Sequence, residues 1–212
     1  MAPEIKVFLL EDFEAVRRGI AELLNAEPGL RVVGEAATVG EALRLAPPAA
    51  PDVAVLDVRL PDGNGVTACR ELRSRLPGLQ CVLLTSLGEE DALLASVLAG
   101  ANGFLLKQVR GTDLAGAVRT VAAGRPLLPP AAMARALDRI RSLVDPVDSP
   151  ATLTEAERAT LALLSTGMTN RQIAERTAQP EDTVRSTVEQ VLAKLGVQRF
   201  TRTSVAPLSR RT

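Results

Sequence analysis

Five polar residues stand at or just past the ends of short apolar runs. Glu11 and Asp12 follow IKVFLL, Asp57 follows DVAVL, Thr85 follows CVLL and Lys107 follows GFLL. Brought together, three carboxylates, a hydroxyl and an amine would suit phosphoryl transfer. Clustered carboxylates repel unless a cation lies among them, and a hard ion such as Mg2+ takes oxygen ligands of this kind. Asp12 and Asp57 are the expected direct ligands, and Glu11 binds directly or through water. The backbone carbonyl of Arg59 comes within reach if the next loop turns back over the site. The Asp57 carboxylate would attack an incoming phosphoryl group in line. Lys107 would offset charge on the transferred oxygens and Thr85 would donate to one of them. Thr85 drawn inward, with Phe104 following into the vacated space, would turn a charge event into a packing event. Singly, each residue has a plainer reading. Asp57 is a solvated strand cap, Lys107 an ion-pair partner and Phe104 a core aromatic. Pro61, Gly63 and Gly65 shape the loop after Asp57, and Asp62 is expected to stay in solvent.

The five positions meet only if the runs bearing them are neighbouring parallel strands. Residues 5–10, 30–35, 52–56, 80–84 and 103–106 read as strands, apolar almost throughout. They alternate with helical stretches at 13–26, 39–45, 65–76, 89–99 and 111–123. Continuous apolar strands alternating with helices imply a parallel sheet covered on both faces. Its reactive edge lies beyond the carboxyl ends of the strands. GRPLLPP at 124–130 breaks the pattern, a helix at 131–143 follows, and VDPVDSPATLT reads as a linker. The chain thus divides into an α/β domain over 1–123, a linker over 124–150 and an all-helical unit over 151–212. In that unit, Thr154 with Glu157 fits a capping box. Thr169 or Asn170 caps the next helix, and Pro180 belongs in the first turn of another. A last short helix is expected over 201–207. Short helices joined by a tight turn suit a helix-turn-helix.

The 212 residues are 46% hydrophobic and 24% charged, which excludes wholesale disorder. No apolar run reaches the roughly 18 residues of a membrane span. The N-terminus lacks the basic start and cleavage site of a secretory signal, so a cytoplasmic location is expected. Histidine is absent, which excludes a histidine relay, metal ligand or phosphoacceptor in this sequence. Cys69 and Cys81 are expected as buried free thiols. No GxxxxGK[ST] loop is present, so nucleotide hydrolysis fits poorly. The formal charge is zero overall, but residues 1–149 carry 16 basic and 19 acidic side chains and residues 150–212 carry 9 and 6. That asymmetry permits a nucleic-acid partner at the C-terminal end.

The stretch VAVLDVRLPDGNGV around Asp57, VLLTS at 82–86 and GFLLK at 103–107 resemble the receiver domain of bacterial two-component response regulators. The resemblance covers about residues 4–122. It implies a flavodoxin-like (CheY-like) fold with a five-stranded parallel sheet in the order 2-1-3-4-5. It also implies phosphorylation of Asp57 by a sensor histidine kinase. Residues 153–199, LTEAERATLALLSTGMTNRQIAERTAQPEDTVRSTVEQVLAKLGVQR, resemble the LuxR-type helix-turn-helix. Together the halves are similar to the NarL/FixJ class. That likeness implies a homodimer when active, double-stranded promoter DNA as target and RNA polymerase as a candidate partner. Three receiver positions depart from the usual pattern. Glu11–Asp12 replaces the commoner Asp–Asp, Phe13 stands where His is frequent, and Gln108 replaces an acidic residue.

On the helix after Pro180, Val184, Val188, Val191 and Leu195 are expected inward, leaving Asp182, Arg185, Ser186 and Glu189 toward the major groove. Arg185 would donate to a guanine edge or a phosphate, or pair with Glu189. Thr169, Asn170 and Arg171 begin the preceding helix, where amides and an arginine grip phosphate. Arg199 and Arg202 add further phosphate contacts. Relatives usually carry lysine where this chain has Asp182, so low intrinsic affinity and a steep salt dependence are expected. Two other readings stand beside a DNA-binding regulator: an atypical regulator acting through protein contacts, and a metal-dependent phosphatase. Duplex binding at low salt separates the first two, and turnover of a phosphate ester would mark the third. The helix at 131–143 serves as connector, dimer contact or packing surface. Phosphorylation is expected to release an interdomain contact and promote a dimer.

Overall fold

In a computed structural model, residues 4–86, 89–107, 111–144 and 153–195 are described. The N-terminal part contains β1 (Ile5–Leu10), α1 (Glu14–Ala26), β2 (Leu30–Ala36), α2 (Val39–Ala49) and β3 (Val53–Asp57). A short hairpin follows, β4 (Arg59–Leu60) and β5 (Gly63–Asn64), then α3 (Gly65–Arg75), β6 (Gln80–Thr85), α4 (Glu89–Ala99), β7 (Gly103–Leu106) and α5 (Gly111–Ala122). The main sheet runs β2-β1-β3-β6-β7, all parallel. Counting only its own strands, this is the expected 2-1-3-4-5 order. Phe8, Leu10, Leu56 and Leu83 pack against α2, α3 and α4, whereas Val7, Leu9, Val55 and Val82 pack against α1 and α5. The period-two alternation thus feeds two cores from one run of apolar residues.

Helix α2 runs four residues past its expected end, through Pro47 and Pro48. Proline at 47 removes the N–H that would bond the Leu43 carbonyl. Arg75 on α3 replaces it, its Nη1 donating to Leu43 O at 3.0 Å. Asp62 is exposed, as expected, and has a further role: it accepts from the amides of Val39 and Gly40 at 2.9 and 3.1 Å, capping α2 across 22–23 residues of sequence. The hairpin that carries Asp62 was not visible in the apolar pattern.

The linker helix α6 (Pro130–Val144) lies against α4, with Ala132, Ala136 and Ile140 buried. Beyond it come α7 (Glu155–Leu164), α8 (Asn170–Thr177) and α9 (Glu181–Lys194). Both expected caps of this region form reciprocal boxes, Thr154 with Glu157 and Thr169 with Gln172. Pro180 sits one place earlier than expected, as the N-cap of α9. Val184, Val188, Val191 and Leu195 point inward as anticipated. Lys194 on α9 reaches back to Glu157 on α7, with Nζ 2.7 Å from Oε2. The expected helix at 201–207 lies outside the described residues. Among the described residues, no helix is long and apolar enough to cross a membrane. Cys69 and Cys81 are buried free thiols.

Candidate functional site

The parallel sheet brings the five strand-end residues to one rim. Asp57 is the last residue of β3 and is 4% exposed, while Glu11, one past β1, is 2% exposed. Thr85 ends β6 and is wholly buried. Lys107 follows β7 and is placed by its own amide, which donates to the Thr85 carbonyl at 2.8 Å. Its Nζ lies 2.6 Å from Glu11 Oε2 and 2.9 Å from Asp57 Oδ2. The Arg59 amide donates to Asp57 Oδ1 at 3.2 Å. Arg17 holds the backbone of Glu11, its Nη1 donating to the carbonyl at 2.7 Å.

Burial pushes the Glu11 and Asp57 carboxyls above their ordinary range, although Lys107 pulls both the other way. Burial alone would lower the Lys107 pKa. The hydrogen bond to Glu11 and the charge of Asp57 outweigh it, so the amine stays above its usual value. One ammonium between two buried carboxylates leaves a negative excess, and Asp12 adds to it. Oxygens of Glu11, Asp12 and Asp57 lie within 4.8 Å of one another. An all-oxygen, net-negative donor set of this size fits a hard divalent cation.

The loop after Asp57 is drawn close by Gly65, whose amide donates to the Val58 carbonyl at 3.0 Å. A Cβ at this glycine would collide with the Asp57 backbone carbonyl. Phe104 is half-buried and packs against the core beneath α3 and α4.

The expected DNA-facing residues are placed less uniformly. Ser186, Glu189 and Asp182 are exposed on α9, and Arg171 is exposed on α8, 3.1 Å from Glu175. Thr169 is buried as the α8 cap. Asn170 is 2% exposed and turned into the seam with the α/β domain. Its Oδ1 accepts from Arg70 Nε and Nη2 at 3.0 and 2.8 Å, and its Nδ2 donates to Glu71 Oε1 at 3.0 Å. Arg185 does not pair with Glu189. Its Nε lies 2.8 Å from Glu71 Oε1 and its Nη1 2.6 Å from Asp182 Oδ1. Arg199 and Arg202 lie outside the described residues.

Arg70 and Glu71 were not singled out from sequence. Arg70 also donates to the carbonyls of Leu98 and Met168, at 2.9 and 2.8 Å. Burial lowers its pKa to about 10, which leaves it charged at neutral pH. The available signal was a charged pair flanked in sequence by the apolar Cys69 and Leu72 of α3. Both charges are buried, and both reach into the second domain. The core beneath α3 and α4 continues without a break into Leu161, Ile173 and Val188.

A doubly wound sheet with an acidic rim, joined to a small helical unit, defines a receiver coupled to a helix-turn-helix. The model for response regulator receiver domains matches residues 7–119, and that for bacterial regulatory proteins of the luxR family matches residues 151–203. The chain is 50% identical over 201 residues to the DNA-binding transcriptional activator DevR/DosR of Mycobacterium tuberculosis, covering 95% of this chain and 93% of that protein. It is 32% identical to the transcriptional regulatory protein LiaR of Bacillus subtilis, covering 95% of each. A solved LuxR-family two-component response regulator from Aurantimonas sp. SI85-9A1 superposes with a TM-score of 0.57 at 31% identity, covering 65% of this chain and 98% of that one. This chain belongs to the LuxR-family response regulators of the NarL/FixJ type.

Proposed function

We propose that this chain is a cytoplasmic transcription regulator switched by Mg2+-dependent phosphorylation of Asp57, with a sensor histidine kinase as donor and promoter DNA as target. The observation that carries this reading is the Lys107 amine held between Glu11 and Asp57 on the rim. Glu11, Asp12 and Asp57 would hold the ion together with the Arg59 carbonyl, and when bound it supplies positive charge against the transferred oxygens. The Asp57 carboxylate attacks phosphorus, an O–P bond forms, and the P–N bond to the donor histidine breaks. The departing imidazole keeps the bonding pair and takes a proton from water. Lys107 moves its contact from the Asp57 carboxylate to a phosphoryl oxygen, and the Thr85 hydroxyl donates to another. The same acyl phosphate is later lost to water, so the chain accepts a phosphoryl group without turning over an external substrate.

The output follows from the seam. Arg185 is engaged by Glu71 while the domains are closed, and a guanidinium so engaged is withheld from DNA. Phe104 links the rim to the α3–α4 core that the helix-turn-helix shares. Phosphorylation at Asp57 shifts that packing, loosens the seam and frees α9 to enter the major groove as part of a homodimer. Glu181, Asp182 and Glu189 on α9 support low intrinsic affinity, reached only at low salt or with a partner such as RNA polymerase.

The test combines a small phosphoryl donor, Mg2+ and a promoter duplex. Wild-type protein is expected to incorporate phosphate, gain duplex affinity and increase in mass by light scattering. Asp57→Asn is expected to do none of these. Undiminished labelling of the variant would overturn the assignment of Asp57. Labelling without any duplex retardation would favour an output made of protein contacts.

A further inference from the structure

A cavity of about 400 Å³ opens on the side of the seam away from the acidic rim. Its walls come from both domains. Arg73, Gln80 and Asn102 line it from the receiver, and Arg171, Gln172 and Glu175 line it from α8. Glu175 is already committed to Arg171 at 3.1 Å. Arg73 is half-buried, makes one hydrogen bond, to the Gly167 carbonyl at 3.2 Å, and has no carboxylate partner among the described residues. A partly desolvated guanidinium without an anion is costly unless something supplies one.

The cavity's chemistry is that of an anion site with room for more than the anion. Guanidinium forks match the oxygens of phosphate and carboxylate. Here guanidiniums line the cleft from both domains, Arg73 with no carboxylate partner among the described residues and Arg171 shared with Glu175. The first turn of α8 lies on the same wall and adds the positive end of its dipole. Gln172 spends its Oε1 on the Thr169 cap at 2.9 Å, which leaves its amide N–H groups toward solvent and cavity. Gln80 and Asn102 are bonded to each other at 2.7 Å and form a fixed polar floor, so the Gln172 amide is the group left to bond a hydroxyl or a base edge. The volume falls within the range of small-molecule sites and exceeds what a bare phosphate fills.

We propose that this cleft binds a small phosphate ester, of the size of a sugar phosphate or nucleoside monophosphate, between Arg73 and Arg171. Both domains contribute to the site, so a bound ester stabilises the closed arrangement. Reciprocally, opening the seam weakens ester binding. The regulatory consequence rests on the switching proposed above, but the binding itself does not.

Calorimetry on the unphosphorylated full-length chain tests the site, with adenosine monophosphate, inorganic phosphate and succinate as probes. The monophosphate is expected to bind saturably and more tightly than inorganic phosphate, and succinate weakly or not at all. Arg73→Gln and Arg171→Gln are each expected to weaken the monophosphate about tenfold. Arg73→Lys is expected to retain part of the affinity, which keeps the test open if Arg73→Gln folds poorly. Asp57 is expected still to accept phosphate in Arg73→Gln, since Arg73 lies off the rim. Absence of saturable binding at millimolar probe, equal binding of succinate, preference for inorganic phosphate, or affinity unchanged in both glutamine variants would each overturn the proposal. Asp57 labelling is measured separately, so failure here is distinguishable from failure of the phosphorylation switch.

Discussion

Lys107 is the only cation paired with the Glu11 and Asp57 carboxylates among the described residues, and it neutralises one of those two buried charges. The remaining negative excess is why a divalent ion is expected to be required. Removing free Mg2+ with a chelator is expected to abolish labelling of Asp57 by a small phosphoryl donor, and restoring Mg2+ to recover it. A labelling assay across a metal titration checks this. Lys107→Met is expected to leave two buried carboxylates without their cation, destabilising the receiver by about 3 kcal/mol in denaturant unfolding at neutral pH. The candidate rim was legible in the sequence because strand ends in a parallel sheet share one edge, so local position alone assembled it. Asn170 and Arg185 were legible as polar helix residues but not as seam residues. What they face depends on how two domains pack, and no local period encodes that.

Helix ends and loops were read with uneven success, for physical reasons. The caps at Thr154 and Thr169 were legible because a capping box is contained in four residues. The extension of α2 through Pro47 and Pro48 was not, because the group that makes it tolerable is Arg75 on another helix. Gly65 marks a tight approach of α3 to β3. Gly65→Ala is expected to cost about 1–3 kcal/mol in thermal or chemical unfolding and to displace Asp57, since the clash is with backbone. Glu157 illustrates the pH behaviour of α7. The hydrogen bond from Lys194 and that from the Thr154 amide hold its carboxyl below the ordinary value of 4.5. A carboxyl depressed on folding contributes stability that is complete above its unfolded pKa and lost as pH falls through its folded one. The helix-turn-helix is therefore expected to lose stability below about pH 4.5, and Glu157→Gln to flatten that limb of a stability profile.

Two domains share one apolar core here, and the polar contacts across it are few and specific. Glu71 holds both Asn170 and Arg185. Glu71→Gln removes the charge on that link with little change of shape. It is expected to raise the duplex affinity of the unphosphorylated chain several-fold, to about tenfold, in a retardation assay at low salt. Unchanged affinity would mean that the seam does not restrain α9. On the switching proposed above, Glu71 and a DNA backbone would compete for the single guanidinium of Arg185. Whatever wins that contest also biases the distant rim. On that reading, a chain captured by its operator would have given up the contact that favours the closed, unphosphorylated arrangement. Promoter-bound molecules should therefore take up phosphate more readily than free ones, making the operator itself a co-activator of the signal it receives.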